Sequence, residues 1–573
     1  MELSAPNGTH APARPDAPDA ARGAACSRGA RMALALAGLA ALAVGVALRL
    51  YRLHEQILTG DELHALNGAL VRSLGQILTR WDFFGADYSV PLTAFYRLLM
   101  DAGVVLDEMT LRAPALVASA LTLLVVPLAL RRKLGTLPAL ALAWLLALSP
   151  MLVLYGRMVR SYAPMVLLAT VAVLAFDRFL ATGSRRAAAT YVACAAAAVY
   201  LHLGAAPFVL SPLLFAAALV VRAPDWRPAL ARLGALGAAL VVACALFLLP
   251  ALPSLRRLMR IHGEGTLPPG ETWLEVLQLQ AGSTSWVVVA VVVLAFARGA
   301  LLLVRRDPRF AGLVAVVVAG HIAGLFLLSP NFLEVTIVAN RYVLVAQPLL
   351  LSVVALGLAA PLAAGPRSAA AQGLAVALLV AALVATGPFV REDFRSSSYV
   401  HAQSFVNFLY PGDRIVPEAV PRFYRDLPAG DEPLVEAPWT NVGTHAISAY
   451  QRFHRRPLRV ASLNRKHADP GIRLRNTIAY RPEAFAQAGA RFVVVHRDIR
   501  QEELRVTTIE HRHHELLERA PELWATLRQG AAVLALRLQE QWGPPVYEDA
   551  LLWVWEIPRS GSAGAPGGAS DGS

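Results

Sequence analysis

The stretch "LRAPALVASALTLLVVPLALRRKLG", residues 111–135, is opened by Arg112 and closed by Arg131-Arg132-Lys133. Between those charges lie about 20 apolar residues, the length a helix needs to cross a bilayer. Working outward, similar runs recur from Arg31 to about Pro388. They predict eleven spans: 32–50, 111–130, 136–154, 163–180, 187–201, 205–221, 233–252, 285–304, 311–328, 342–360 and 370–389. Composition agrees. Of the 573 residues 56% are hydrophobic and only 16% charged, where a soluble chain carries about 25% charge. A mean hydropathy of +0.49 excludes a purely cytosolic enzyme. The chain reads as a polytopic all-α membrane protein.

The net charge of +13 could suggest a nucleic-acid binder, but such a protein gathers its basic residues on a soluble face. Here they fall in short loops. With the N-terminus inside, Arg131-Arg132-Lys133, Arg178, Arg185 and Arg186, then Arg222, Arg227 and Arg232, then Arg305, Arg306 and Arg309, and finally Arg367 all lie on the cytoplasmic side. Every one of those loops is net positive, as the positive-inside rule asks. The outer segment 51–110 has Arg52, Arg72, Arg80 and Arg97 against eight carboxylates, a net of −4. Counting 88–106 as a span would put the basic loop at 131–133 outside. That stretch, interrupted by Arg97 and Asp101, is therefore expected to be an amphipathic helix near the membrane surface, as is 64–79. The first outer loop becomes a structured segment. Cys26, Cys194 and Cys244 have no metal-ligand spacing and suggest no disulfide framework.

Residues 1–30, rich in Ala, Pro and Gly, are expected to be a disordered cytoplasmic tail, and 559–573 a second disordered tail. The membrane domain spans 31–390. After Phe389 the composition turns polar, and 391–558 is expected to form an extracytoplasmic α/β domain. Strands are predicted at "RFVVVH" (491–496) and "LLWVWEI" (551–557), and helices in 443–454, 482–488 and 514–529. "EHRHHE" (510–515) matches neither zinc-helix motif and is expected to be a solvated face.

The residues able to do chemistry gather at the outer ends of the spans. In "TGDELHALN" (59–67), Asp61 and Glu62 follow the first span, and Gly60 before them permits a tight turn. A carboxylate held there can deprotonate an acceptor hydroxyl at hydrogen-bonding distance. Two solvated loop carboxylates are the plainer alternative. Arg112, Arg157, Arg160 and Arg341 break the rule that short outer loops lack arginine. Snorkelling accounts for one such residue; four on one face point to an anion, which a guanidinium grips with two parallel hydrogen bonds. Tyr162 and Tyr342 add hydroxyls or an interfacial belt, and His202 in "YLHLG" lies at the same depth. A lipid phosphate fits such a face: its tail stays in the bilayer, its phosphate meets arginine, and its head group faces a carboxylate.

In the order of these motifs the chain resembles the GT-C superfamily of membrane glycosyltransferases, in particular the bacterial relatives of protein O-mannosyltransferases and the lipid A aminoarabinose transferase. The carriers of the resemblance are Asp61-Glu62, "YSVPLTAFYRLL" followed by the 111–135 stretch, "LYGRMVRSYAPMVLL", "YLHLGA" and "NRYVLVAQP". Ser89-Val90-Pro91-Leu92 stands where the family usually has His-Pro-Pro-Leu. The resemblance implies transfer of a sugar from a polyprenyl-phosphate carrier, with inversion, to a protein, lipid or glycan acceptor outside a bacterial cytoplasmic membrane. It implies Asp61 as general base, and Arg112, Arg160 and Arg341 engaging donor phosphate or orienting the loop. Glu62 and His202 would position substrates or the base. No cofactor and no metal is expected, since the outer loops carry no D-x-D or paired-histidine motif. Competing readings are a glycan ligase or polymerase, a lipid or glycan transporter, and a receptor with a soluble tail. A transporter would place its polar groups at mid-bilayer, and a receptor would leave Asp61 and the outer arginines without a shared purpose.

Overall fold

The computed structural model describes residues 28–54, 72–79, 89–104, 106–222, 226–253, 268–328, 336–360, 366–387, 415–430, 432–438, 445–456, 490–507 and 521–558. It also describes single positions between them, among them Gln56, Leu58, Glu62, Ala65, Leu66, Ala69, Leu333, Phe389 and Phe485. Asp61, the tails and "EHRHHE" lie outside the described residues.

Each of the expected apolar runs is helical, but they are not alike. Among the described residues eight helices are long and apolar enough to cross a membrane: Met32–Leu50, Glu108–Leu134, Tyr162–Thr182, Leu203–Val221, Trp226–Leu248, Trp286–Arg306, Pro308–Leu328 and Val338–Ala359. The run at 136–154 is a broken pair, Thr136–Leu148 and Pro150–Gly156, bent by 58°. Pro150 explains the break, because it cannot donate to the preceding turn; the Ser149 hydroxyl accepts from Leu152 N–H and starts the second piece. Arg185–Leu201 and Ala370–Thr386 are shorter apolar helices. Local signals set the ends. Asp107 caps the second span by accepting from Thr110 N–H at 2.7 Å, and Gly183 closes Tyr162–Thr182 at φ +63°.

The Val338–Ala359 span is the most enclosed, and Trp226–Leu248 lies at the edge with Val241, Val242 and Leu246 facing outward. Close packing at the centre depends on Gly299 and Gly357. A Cβ on Gly299 would stand 1.9 Å from the Val353 carbonyl, and one on Gly357 1.7 Å from that of Ala295. The two backbones therefore touch, as small residues allow in membrane helices.

The 88–106 segment contains a helix at Val90–Asp101 that buries Val90, Leu92, Tyr96 and Met100 and exposes Phe95 and Leu98. With Leu58, Leu66, Ala69, Leu111 and Val159 it forms a small apolar core of its own. The described residues of the first loop thus pack together at the start of the second span.

The C-terminal region holds a four-stranded sheet in the order β1-β2-β4-β3: β1 Leu434–Ala437, β2 Phe492–His496, β3 Tyr547–Glu548 and β4 Leu552–Glu556. β1 and β2 run parallel, and β4 is antiparallel to β2 and β3. Alternate residues of β2 point to opposite faces. Val493 and Val495 meet Ala531, Leu534 and Leu538 of helix Pro521–Trp542. Phe492 and Val494 meet Tyr424, Ala446 and Tyr450 on the other side. β2 and β4 match the two predicted strands. β1 is too short and carries Glu436, and β3 spans two residues; neither shows in the sequence pattern. Of the helix predicted over 514–529, residues 514–520 lie outside the described residues; the described helix Pro521–Trp542 runs on through Gly530, because burial of Leu534 and Leu538 outweighs the roughly 1 kcal/mol that a helical glycine costs.

Candidate functional site

The first helix ends at Leu50, and Arg52 takes a left-handed conformation at φ +48°. The chain turns there, aiming the Leu53 and Gln56 carbonyls at the second span. Arg112, fully buried in its first turns, receives them: its Nη1 donates to Leu53 O at 3.1 Å and to Gln56 O at 2.9 Å. Its other two nitrogens form a bidentate pair with Glu62, Nε to Oε1 at 3.1 Å and Nη2 to Oε2 at 3.0 Å. Glu62 Oε1 also accepts from Val159 N–H at 3.0 Å. Tyr96, buried beside them, donates its hydroxyl to Leu111 O at 2.5 Å and ties the surface helix to the same point. Burial and the neighbouring Glu62 push the Tyr96 phenol well above its usual pKa, against the pull of Arg112.

Arg157 completes the fastening. Its Nη1 donates to the carbonyls of Leu48, Arg49 and Tyr51, each at 3.0 Å, and its Nη2 to Gln56 Oε1 at 3.0 Å. It thereby satisfies carbonyls that the first helix leaves open at its end. Burial, then repulsion from Arg112, partly offset by Glu62, with Arg49 adding to the repulsion, lowers its pKa to about 9, which leaves it charged at pH 7. Arg49, also buried, bonds Ser119 Oγ at 2.6 Å and Gly45 O at 2.8 Å. Gly156 makes room for that pair, since a Cβ there would come within 2.5 Å of Ser119 Oγ.

The second group follows one residue beyond Val159. Arg160 lies over the Tyr162 ring at 5.9 Å. Tyr162 packs on His202 at 5.0 Å, His202 on Tyr342 at 5.8 Å, and Arg341 lies over Tyr342 at 5.6 Å. Arg341 also donates to the Tyr342 hydroxyl, which is within electrostatic reach of Tyr162 and Arg160. His202 Nδ1 accepts from Gly204 N–H at 3.1 Å, so the neutral ring carries its proton on Nε2 and presents a donor. Gly204 permits this fold-back: a Cβ there would meet His202 Nδ1 at 2.9 Å.

The predicted site residues therefore form two adjoining sets. Arg160, Tyr162, His202, Arg341 and Tyr342 come together from three separate stretches of chain. Glu62, Arg112 and Arg157 form the framework behind them. Arg112 donates to protein oxygens of the first loop, the Leu53 and Gln56 carbonyls and both Glu62 oxygens. Arg157 likewise donates to carbonyls at the end of the first helix, and both Glu62 oxygens accept hydrogen bonds. Asp61 is outside the described residues, next to the anchored Glu62. Among the described residues no three His, Cys, Asp or Glu side chains come together as a metal-binding group.

Sequence reasoning missed Arg49, Tyr96 and Gln56. Arg49, at the end of an apolar run, and Tyr96, in the quoted helix, were visible as polar marks on apolar stretches. Gln56 gave no signal, because it works mainly through its carbonyl.

The helical membrane bundle followed by a small sheet is an architecture that the chain shares with solved structures. The chain superposes on the crystal structure of apo ArnT from Cupriavidus metallidurans, the lipid A aminoarabinose transferase, with TM-score 0.50 and 14% identity over 81% of this chain and 93% of that one. It also matches two structures of the Archaeoglobus fulgidus oligosaccharyltransferase. One, with Zn and sulfate, has TM-score 0.42 and 13% identity over 80% of this chain and 67% of that one. The other, tethered to an acceptor peptide, has TM-score 0.40 and 13% identity over 88% and 72%. No protein-family model matches the sequence, and no curated protein matches it.

Proposed function

We propose that the chain is a membrane glycosyltransferase that moves a sugar, with inversion, from a polyprenyl-phosphate carrier to a protein, lipid or glycan acceptor. The observation that carries this reading is the meeting of Arg160, Tyr162, His202, Tyr342 and Arg341 beside the anchored Glu62. Arg160 and Arg341 bind the donor phosphate and stabilise the charge that grows as the carrier leaves. Tyr162, Tyr342 and His202 Nε2–H add donors. Asp61 takes the proton of the acceptor hydroxyl, while Glu62, Arg112 and Arg157 hold the loop that presents it. The membrane is the cytoplasmic membrane of a bacterium, the N-terminus is inside, and 391–558 is a domain on the outer side.

Asp61→Asn tests the assignment, because Asn keeps size and some hydrogen bonding but cannot take the proton. Turnover of a polyprenyl-phosphate hexose should fall about a hundredfold to ten-thousandfold with donor binding intact. Arg160→Ala and Arg341→Ala should weaken donor binding as well, each by about 1.5–3 kcal/mol for a lost charged hydrogen bond. Near-normal turnover by Asp61→Asn would remove Asp61 as the base.

A further inference from the structure

The helix His445–His454 of the C-terminal region has two working faces. Tyr450 is buried, stacks on Tyr424 at 4.3 Å and donates to Glu502 Oε1 at 2.5 Å. Ala446 N–H, on the same helix, donates to Glu503 Oε1 at 2.8 Å. Glu502 in turn bonds His496 of β2, so this face is fixed to the sheet. Arg452 lies two positions after Tyr450, about 200° around the helix. It leaves the sheet region altogether.

Arg452 crosses to the membrane module. Its Nε donates to Glu108 Oε1 at 2.7 Å, its Nη2 bonds the same oxygen, and Nη2 also reaches Gln56 O at 3.4 Å. Glu108 opens the second span, four residues before Arg112 and 8% exposed. Gln56 is the residue that Arg112 grips by its carbonyl and Arg157 by its side chain. Three guanidiniums from three parts of the chain thus meet on one residue of the turn that leads to Asp61-Glu62. Arg112 and Arg157 already serve the hydrogen bonds of that turn from within the bundle. Arg452 adds a grip from the other module and supplies the buried Glu108 with a cation.

We propose that Arg452 is a positioning residue for the transfer site, holding the Leu53–Gln56 turn from the C-terminal domain so that the carboxylate pair beyond it is correctly placed. This rests on the transferase reading of that site. Misplacement by about 1 Å can cost on the order of a hundredfold in rate without weakening binding. Loss of Arg452 should therefore lower kcat and leave the donor KM near its wild-type value.

The test uses the full chain in lipid nanodiscs, with Arg452→Met, Arg452→Lys, Glu108→Gln and the Arg452→Met/Glu108→Gln double variant. Two quantities are read: amide hydrogen exchange across 51–58, which needs no substrate, and kcat and KM for release of labelled sugar from a polyprenyl-phosphate hexose. Arg452→Met should speed exchange in that segment and cut kcat by about tenfold to a hundredfold, Lys should recover part of both, and the double variant should be no worse than Arg452→Met. If Arg452→Met fails to accumulate, Glu108→Gln makes the same test from the other side. Unchanged exchange, a change in KM alone, no recovery by Lys, or full additivity in the double variant would each overturn the proposal. A wild-type protein that releases no sugar would sink the transferase reading instead, and the exchange data would still decide the role of Arg452.

Discussion

The helix Glu108–Leu134 carries a buried charge cluster near one end and an ion-pair network at the other, and the two are built on different rules. At the far end Lys133 pairs with Asp177 at 3.0 Å and Asp307 at 2.7 Å, and Arg309 pairs with Asp177 at 3.4 Å. Cations and carboxylates balance. Burial would raise the Asp307 pKa, but Lys133 and the Phe310 N–H hold it below its ordinary value. At the site end Arg49, Arg112 and Arg157 lie buried together; Glu62 pairs with Arg112 and lies within electrostatic reach of Arg157. Carbonyl oxygens supply the remaining partners. Balanced pairs fasten loops. In the proposed function the buried arginines at the site end also contribute a field that favours the donor phosphate, and Arg160 follows Arg157 by three residues in the chain.

The comparison can be broken at its carboxylates. Glu62→Gln leaves Arg112 buried beside a neutral partner, and breaking a buried pair in this way costs about 3–5 kcal/mol. Asp177→Asn acts on a network whose cations are a quarter or more exposed, where a pair is worth about 1 kcal/mol or less. Thermal unfolding of the two purified variants in the same nanodiscs measures both. Equal losses would mean that the ends do the same work.

A third charge cluster sharpens the rule. In the C-terminal sheet His496 is wholly buried between Glu502 Oε2 at 2.7 Å and Glu436 Oε2 at 2.9 Å, and Tyr424 donates to the same Glu436 oxygen. Burial alone would lower the histidine's pKa, but the two carboxylates raise it to about 10. With the folded value above the ordinary 6.5, the stability from protonation is complete below about 6.5 and disappears as pH rises through about 10. Glu436, raised by burial, changes in the same sense: the stability from its neutral form is likewise lost as pH rises. Wild type should therefore exceed His496→Gln in thermal midpoint at pH 6, and the gap should close towards pH 10. A gap independent of pH would show that shape, not charge, is what His496 contributes.

What the sequence could show follows the same division. The spans and the face on which arginines collect were legible because each is a local property: apolar length, or a cation where the positive-inside rule expects none. Arg160, Tyr162, His202, Arg341 and Tyr342 could be grouped by depth before any contact was known. Partners were not legible. That Glu62 serves Arg112, and that Arg157 caps the first helix, depend on residues separated by 50 and 109 positions. Arg452 to Glu108 spans 344. Depth sorts residues into a layer; only tertiary packing says which groups each arginine inside that layer meets.

Two glycines take the comparison to its finest scale. Gly183, at the end of the bundle that carries Lys133, adopts φ +63°, and a Cβ there would meet nothing within 4 Å. Alanine there is strained by its backbone alone, at roughly 1 kcal/mol of stability, and turnover should be unchanged. Gly204 has no such φ, but its Cβ would meet His202 Nδ1 at 2.9 Å, His202 Cε1 at 3.0 Å and Tyr342 Cδ1 at 3.4 Å. Both neighbours are rings that can tilt, so the protein should tolerate Gly204→Ala while the His202 ring swings off the Gly204 N–H. The donor on Nε2 then points elsewhere, and losing one aligned neutral hydrogen bond, about 1 kcal/mol, corresponds to a severalfold fall in kcat. Sugar release by the two variants, set against their thermal midpoints, reads the difference. If Gly204→Ala lost stability but no turnover, His202 would be a packing residue and the ring cluster would lose its middle member as a substrate contact.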